Sequence, residues 1–150
     1  MFSTQTVEGD KVILGRDDGR VVTVTTAVAP TSCKDWRVGG ACYQAFAQKR
    51  TWKQAQGACK AWGGHLATIT SPGENRMVRA LADSVCGLKS AWIGISDIAK
   101  EGEWVWDDGS DTGYRAWLWN EPNNYKEKEH SGELRADAYW NDVPPTNSLS

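Results

Sequence analysis

The sequence has no apolar run near the roughly 18 residues that a membrane-spanning helix requires, so this stretch is not read as integral to a bilayer. It has no Lys/Arg stripe: 17 basic residues stand against 19 acidic ones, for a formal charge of −2. That balance argues against nucleic acid or anionic lipid as the main partner. It has only two His, and no G-x-S-x-G, P-loop or H-E-x-x-H pattern, which removes the common motif-bearing hydrolases and nucleotide enzymes. It has no C-x-x-C pair, so neither a zinc knuckle nor a thioredoxin-like redox site is suggested. Met1–Glu8 shows neither a basic n-region nor an apolar h-region, so the expectation is a piece of a longer secreted chain.

What is present suits one globular domain. The chain has 150 residues, 40% of them hydrophobic and 24% charged, enough for a real core. Nine Trp against two Phe and four Tyr is an unusual aromatic mix. Four cysteines (Cys33, Cys42, Cys59 and Cys86) fit two disulfides in an oxidising compartment, and counting leaves all three pairings open.

Residues 1–30 differ from the rest, because every Trp and Cys follows them. β-branched runs at Lys11–Leu14 and Val21–Thr26 flank a Gly15–Arg20 turn. Two readings stand: an N-terminal extension or linker, or an edge hairpin on the same domain, which would then occupy 31–150. Tyr43–Phe46 reads as a short strand. Thr51 and Gln54 form a capping box for a helix over about 52–62, with Trp52, Ala55, Cys59 and Trp62 on one face and Gly63-Gly64 as its stop. Ser71, Pro72 and Glu74 open a second helix, about 72–84, with Met77, Val78, Leu81 and Val85 as its stripe. His65–Ile69, Ala91–Ile95 and Glu103–Trp106 read as strands. From Asp107 to Trp140 runs a long polar segment with little periodicity, and such a loop usually has a function.

That segment concentrates oxygen-bearing side chains: Glu121, Asn123, Asn124 and Glu129, closed by Asn141 and Asp142 after Trp140. Hard oxygen donors on loops and a strand edge are the chemistry that Ca²⁺ accepts, whereas zinc is disfavoured by the lack of Cys or His in the set. The order of motifs adds to this. Paired cysteines before Tyr43, the Cys59 helix, Gly63-Gly64-His65-Leu66-Ala67, Ser71–Asn75, Trp92-Ile93-Gly94-Ile95, Glu121-Pro122-Asn123 and Trp140-Asn141-Asp142 together resemble the C-type lectin-like domain over about 33–142. The resemblance implies an α+β fold, two helices flanking small antiparallel sheets with a long Ca²⁺-binding loop region. It implies Glu121, Asn123, Glu129, Asn141 and Asp142 as metal ligands, the first four also contacting sugar. The Glu-Pro-Asn triplet is similar to that of the mannose, N-acetylglucosamine and fucose class, and Pro122 matches a proline that is cis in calcium-loaded relatives. Asp97, Glu101 and Asn124 match auxiliary metal positions, but Asn124 and His130 replace acids there, so a weak or empty second Ca²⁺ site is expected, the other reading being that Asp97 and Glu101 are plain turn residues.

The departures concern disulfides. The resemblance implies a Cys33–Cys42 pair. Ser131 stands where a loop cysteine is usual, and Ser150 is reached before any closing cysteine. Either the domain is cut short at its final strand, or Cys59 pairs with Cys86. His65 is read as structural, and His130 as exposed loop. Trp52, Trp62, Trp92, Trp104 and Trp106 are read as core; Trp117 and Trp119 flank the Glu-Pro-Asn loop and are read as packing beneath it, with contact to a ligand as the alternative. The function expected is Ca²⁺-dependent binding of mannose-type glycans, with cell-surface glycoproteins as partners and an extracellular or cell-surface setting. An oligomer or multidomain parent would supply avidity. The alternatives are a protein-interaction domain of the same fold, and a polysaccharide-active enzyme whose acids would act in pairs.

Overall fold

A computed structural model describes residues 13–17, 20–24, 36–38, 41–43, 50–61, 63–86, 90–110 and 112–146. Its elements are β1 (Ile13–Asp17), β2 (Arg20–Val24), β3 (Trp36–Val38), β4 (Ala41–Tyr43), α1 (Trp52–Ala61), α2 (Pro72–Cys86), β5 (Ser90–Ser96), β6 (Val105–Trp106), β7 (Ser131–Arg135) and β8 (Trp140–Val143). The main sheet runs β2-β1-β5-β7-β8, with β6 also on β5, and β3 pairs with β4 in a separate ribbon. Every strand pair is antiparallel, so two helices and small antiparallel sheets make the expected α+β architecture.

Local chemistry sets the helix ends. The Thr51 Oγ1 accepts from the Gln54 amide at 3.2 Å while Gln54 Oε1 accepts from the Thr51 amide at 2.9 Å, a reciprocal capping box. At the other end the amides of Gly63 and Gly64 return to the carbonyls of Lys60 and Cys59, and Gly63 takes φ 85°, a value that glycine adopts without steric cost. The second box is only half made. Ser71 Oγ accepts from the Glu74 amide at 3.2 Å, but the Glu74 carboxylate turns instead to Thr70 and to the Tyr43 hydroxyl. Burial and the facing Glu74 raise the Tyr43 hydroxyl far above its ordinary pKa, so it stays a donor.

β5 is the spine: six of its seven residues are buried. A Cβ on Gly94 would lie 2.7 Å from the Leu66 carbonyl oxygen, which explains the glycine in Trp92-Ile93-Gly94-Ile95. The expected strand at His65–Ile69 is instead an extended segment outside the sheet, held to β5 by the Gly94 amide on the Ala67 carbonyl. The long polar segment also differs from expectation: it contains β7, whose residues 131–134 are buried, and a 3₁₀ turn at Tyr125–Glu127. The strand expected at 103–106 shrinks to two residues.

The core has two parts. Val78, Leu81 and Ala82 of α2 pack with Ile93, Ile95, Leu134, Trp106 and Trp140, while Trp52, Ala55 and Cys59 of α1 pack with Leu66, Trp92 and Val143. Among the described residues each buried indole N–H has an acceptor: Trp52 on Ile93 O, Trp92 on Arg50 O, Trp106 on Thr112 Oγ1 and Trp140 on Asn75 Oδ1. Trp104 is half-buried against the core, and Trp62 lies outside the described residues.

The Cys59–Cys86 pairing is corrected. Cys59 is a free, fully buried thiol packed among apolar neighbours, and that burial pushes its pKa up, keeping it protonated and inert. Cys33 and the side chain of Cys42 lie outside the described residues, as does much of 1–30; within that stretch β1 pairs with β5 through Leu14↔Trp92, Gly15↔Ala91 and Arg16↔Ser90.

Candidate functional site

Between β6 and β7 the chain has few ladder bonds of its own, and aromatic packing carries it. The Trp140 ring is the hub, meeting Trp106, Tyr114 and Trp117 edge-on at centroid distances of 5.5, 5.6 and 5.7 Å. Trp104 packs against Trp117 at 4.7 Å. The Trp140 amide donates to Ala116 O at 2.7 Å and its carbonyl accepts from the Leu118 amide at 2.8 Å. Trp117 therefore sits beneath the loop as expected. Trp119 does not: it is 89% exposed, a correction that follows from its place two residues on, where the chain turns out to solvent.

Over this platform Asn120 takes φ 72° and the Glu121–Pro122 bond is cis, as the resemblance implied. Asn124 has φ 45°, in the left-handed region that Asn tolerates better than most residues. The turn is held by carboxylates. The fully buried Asp142 accepts from the amides of Asn123 (Oδ1, 3.1 Å) and Asn124 (Oδ2, 2.7 Å). Glu121 Oε2 also accepts from the Asn123 amide at 3.1 Å, and Glu129 Oε2 accepts from the Tyr125 amide at 3.0 Å. Asn124 Oδ1 in turn accepts from the Glu129 amide at 3.1 Å. Glu121, Asn123, Asn124, Glu129 and Asp142 are thus one connected network.

Asn141 enters from β8, where the register sets it opposite Glu133 of β7, and its Nδ2 donates to Glu133 Oε1 at 3.2 Å. Glu133 is 9% exposed, and sequence reasoning passed over it because β7 was hidden in an apparently aperiodic stretch. A strand pairing Leu134 with Trp140 would have pointed to it.

The electrostatics are those of crowded negative charge. Among the described residues, none of Glu121, Glu129 and Asp142 is ion-paired with Lys or Arg. Burial, then the adjoining Asp142, pushes Glu121 up to about 7. Burial, together with the charges of Asp142 and Glu133, also raises Glu129 against the opposing Tyr125 N–H bond. The nearby Lys126 ammonium lies over the Tyr125 ring at 5.1 Å. An all-oxygen donor set with unbalanced carboxylates fits a hard divalent cation such as Ca²⁺.

The expected auxiliary residues also come together. Asp97, 2% exposed, and Glu101 approach His130, while Asn124 Nδ2 donates to Glu101 Oε1 at 2.6 Å. His130 is partly buried by these contacts instead of lying free in solvent. His65 is half-buried in the turn after α1.

Residues 48–150 match the model of the Lectin C-type domain. A C-type lectin mannose-binding isoform from Notechis scutatus scutatus is 35% identical over 133 residues, covering 83% of this chain and 84% of that protein. Among solved structures, the EPNH mutant of CEL-I, a C-type lectin from Cucumaria echinata, superposes with a TM-score of 0.72 at 29% identity, covering 79% of this chain and 92% of that one. The carbohydrate-recognition domain of cow CD23, solved in the presence of a GlcNAc2Man3 oligosaccharide, gives a TM-score of 0.58 at 32% identity, covering 63% and 70%.

Proposed function

The chain belongs to the C-type lectin domain family, and from that premise we propose that it binds carbohydrate through a Ca²⁺ held by Glu121, Asn123, Glu129, Asn141 and Asp142. The observation that carries this reading is the set of crowded loop carboxylates that, among the described residues, have no Lys or Arg partner. A bound Ca²⁺ would supply the positive charge that attracts vicinal sugar hydroxyl oxygens. The protein's residues then read the hydroxyls. Each keeps one hydrogen to donate and one lone pair to accept with, so Glu121 and Glu129 take the hydrogens while the amides of Asn123 and Asn141 donate. Carboxylate and amide therefore alternate. The acid-before-amide order at 121 and 123 favours mannose, N-acetylglucosamine and fucose, and a relative described as mannose-binding supports that class.

Binding per site is weak on this reading, on the order of millimolar or about −4 kcal/mol. Avidity on cell-surface glycoproteins then comes from repetition in an oligomer or a multidomain parent. An extracellular or cell-surface setting supplies the Ca²⁺. The reading is of a binding module without catalysis.

The test is retention on immobilised mannan. Binding is expected in Ca²⁺, released by chelator and restored by Ca²⁺. Binding that survives chelation, or none at all, overturns the proposal and favours the protein-interaction reading, while shortened glycan products favour an enzyme. Glu121→Gln with Asn123→Asp reverses the donor order and is expected to lower mannose retention and raise galactose retention. An unchanged preference refutes the coordination scheme.

A further inference from the structure

The cluster of Asp97, Glu101 and His130 is the second place where titratable side chains converge, and its chemistry differs from the all-oxygen loop. One ligand atom from each residue lies within 4.8 Å of the other two. His130 Nδ1 is 3.1 Å from Asp97 Oδ1 and 3.3 Å from Glu101 Oε2. We propose that Asp97, Glu101 and His130 form a binding site for a divalent first-row transition ion, Zn²⁺ foremost, distinct from the loop site.

Three observations carry this. The first is the donor set: an unprotonated imidazole suits zinc and its neighbours and is a poor ligand for Ca²⁺. The second is spacing. Ligands at about 2.0–2.1 Å from a tetrahedral ion lie about 3.3–3.4 Å from one another, close to the two distances found, the shorter of which is a hydrogen bond that the ion would replace. The third is outer support. The Gly102 amide donates to Asp97 Oδ2 at 2.9 Å and Asn124 Nδ2 donates to Glu101 Oε1 at 2.6 Å. Each carboxylate thereby has one oxygen fixed and its other oxygen turned to His130, the arrangement by which outer-shell bonds orient metal ligands.

Charge points the same way. The Asp97 side chain is 1% exposed, and a buried carboxylate is costly without a cation beside it. Among the described residues the one basic side chain beside it is the His130 ring. A divalent ion would balance Asp97 and Glu101 together and leave the imidazole neutral. Glu101 is 58% exposed, which gives the ion a path in and leaves room for water at a fourth position.

The test is calorimetric titration of Zn²⁺ into the full chain under saturating Ca²⁺, so that the loop site is not what responds. One Zn²⁺ per chain is expected, with binding at least tenfold weaker in His130→Ala. His130→Asp, which replaces the imidazole by a hard oxygen donor, is expected to lose Zn²⁺ and take up an additional Ca²⁺. Equal Zn²⁺ binding in the native chain and His130→Ala overturns the proposal, as does displacement of Zn²⁺ by an equal concentration of Ca²⁺. A measurement without any variant guards against misfolding: the chain has two His, so the imidazole nitrogen resonances can be followed directly. A Zn²⁺-induced shift at His130 Nδ1 is expected, and a response at His65 alone refutes the site. Mannan retention is scored separately in Ca²⁺, so failure here and failure of the lectin reading remain distinct.

Discussion

Replacing Trp140 by Phe tests whether the loop region stands on its aromatic platform. The substitution removes the indole N–H that donates to Asn75 Oδ1 at 2.8 Å, and Asn75 is 5% exposed, so its carbonyl oxygen is stranded. An unsatisfied buried acceptor costs about 1–3 kcal/mol. The smaller ring also loosens edge contacts with Trp106, Tyr114 and Trp117, each worth about 0.5–1.5 kcal/mol when fully made. With part of that contact retained by the phenyl ring, the total loss is about 3 kcal/mol. For a domain of this size the fall in Tm is about 6–12 °C. A stability of about 5–15 kcal/mol leaves the variant folded at room temperature. Urea unfolding gives the free energy, and Ca²⁺ titration of the folded variant gives the functional cost, since Asn141 and Asp142 follow Trp140 directly. The control is Trp119→Phe, where 89% exposure limits the change to about 0.5 kcal/mol. A Trp140→Phe chain within 0.5 kcal/mol of the native one, or a Trp119→Phe chain equally destabilised, refutes the reasoning.

Two further outcomes are expected. Glu121 sits at about 7 in the metal-free folded chain against an ordinary 4.5, so between those pH values the folded chain holds a proton that the unfolded chain has released. Stability of the Ca²⁺-free protein should therefore fall as pH rises through that window and level off above it, as thermal melts across pH would show. On the proposed reading Ca²⁺ must expel the same proton, so calorimetry in buffers of different ionisation heat should register about half a proton from Glu121 released per Ca²⁺ at pH 7, and more at pH 6; no release at pH 6 contradicts the assignment. At Gly94 a methyl group would meet the Leu66 carbonyl oxygen at 2.7 Å and its carbon at 3.1 Å, backbone atoms that cannot swing away. Gly94→Ala should cost about 2–3 kcal/mol in urea unfolding, and an unchanged midpoint would show that the segment at 65–70 moves freely.

What the sequence made legible was what local chemistry decides. Thr51 and Gln54 lie within three residues of each other, and their reciprocal bonds form as their spacing required. The cis bond at Pro122 and the order of oxygen donors along 121–142 were likewise visible in a short motif. Other features failed because their causes lie far along the chain. His65–Ile69 alternates like a strand, yet its backbone link to β5 is the Gly94 amide on the Ala67 carbonyl, since β1 pairs with β5 at residues 90–92 and β6 at 95–96. β7 was missed because its buried positions carry Ser131, Gly132 and Glu133, so neither an apolar run nor β-branched residues mark the strand. Cys59 could be placed on the inner face of α1 by periodicity, but only the packing shows that it is buried in one cluster with Trp52, Leu66 and Trp92.

The same distinction explains why the loop is built from acids and amides. A segment with so few ladder bonds must satisfy its backbone through side chains, and carboxylates are the strongest acceptors for exposed amides. Asp142, Glu121 and Glu129 do this for residues 123–125, at the cost of gathering negative charge over a platform of tryptophans. Asn124 then joins that group to Glu101: its amide donates to Asp142, its Nδ2 to Glu101, and its Oδ1 accepts from the Glu129 amide. A single left-handed asparagine thus ties both acidic clusters together. Acids that shape a loop by accepting its amides are also poised to receive a cation, so the loop's folding and its binding chemistry draw on the same oxygens.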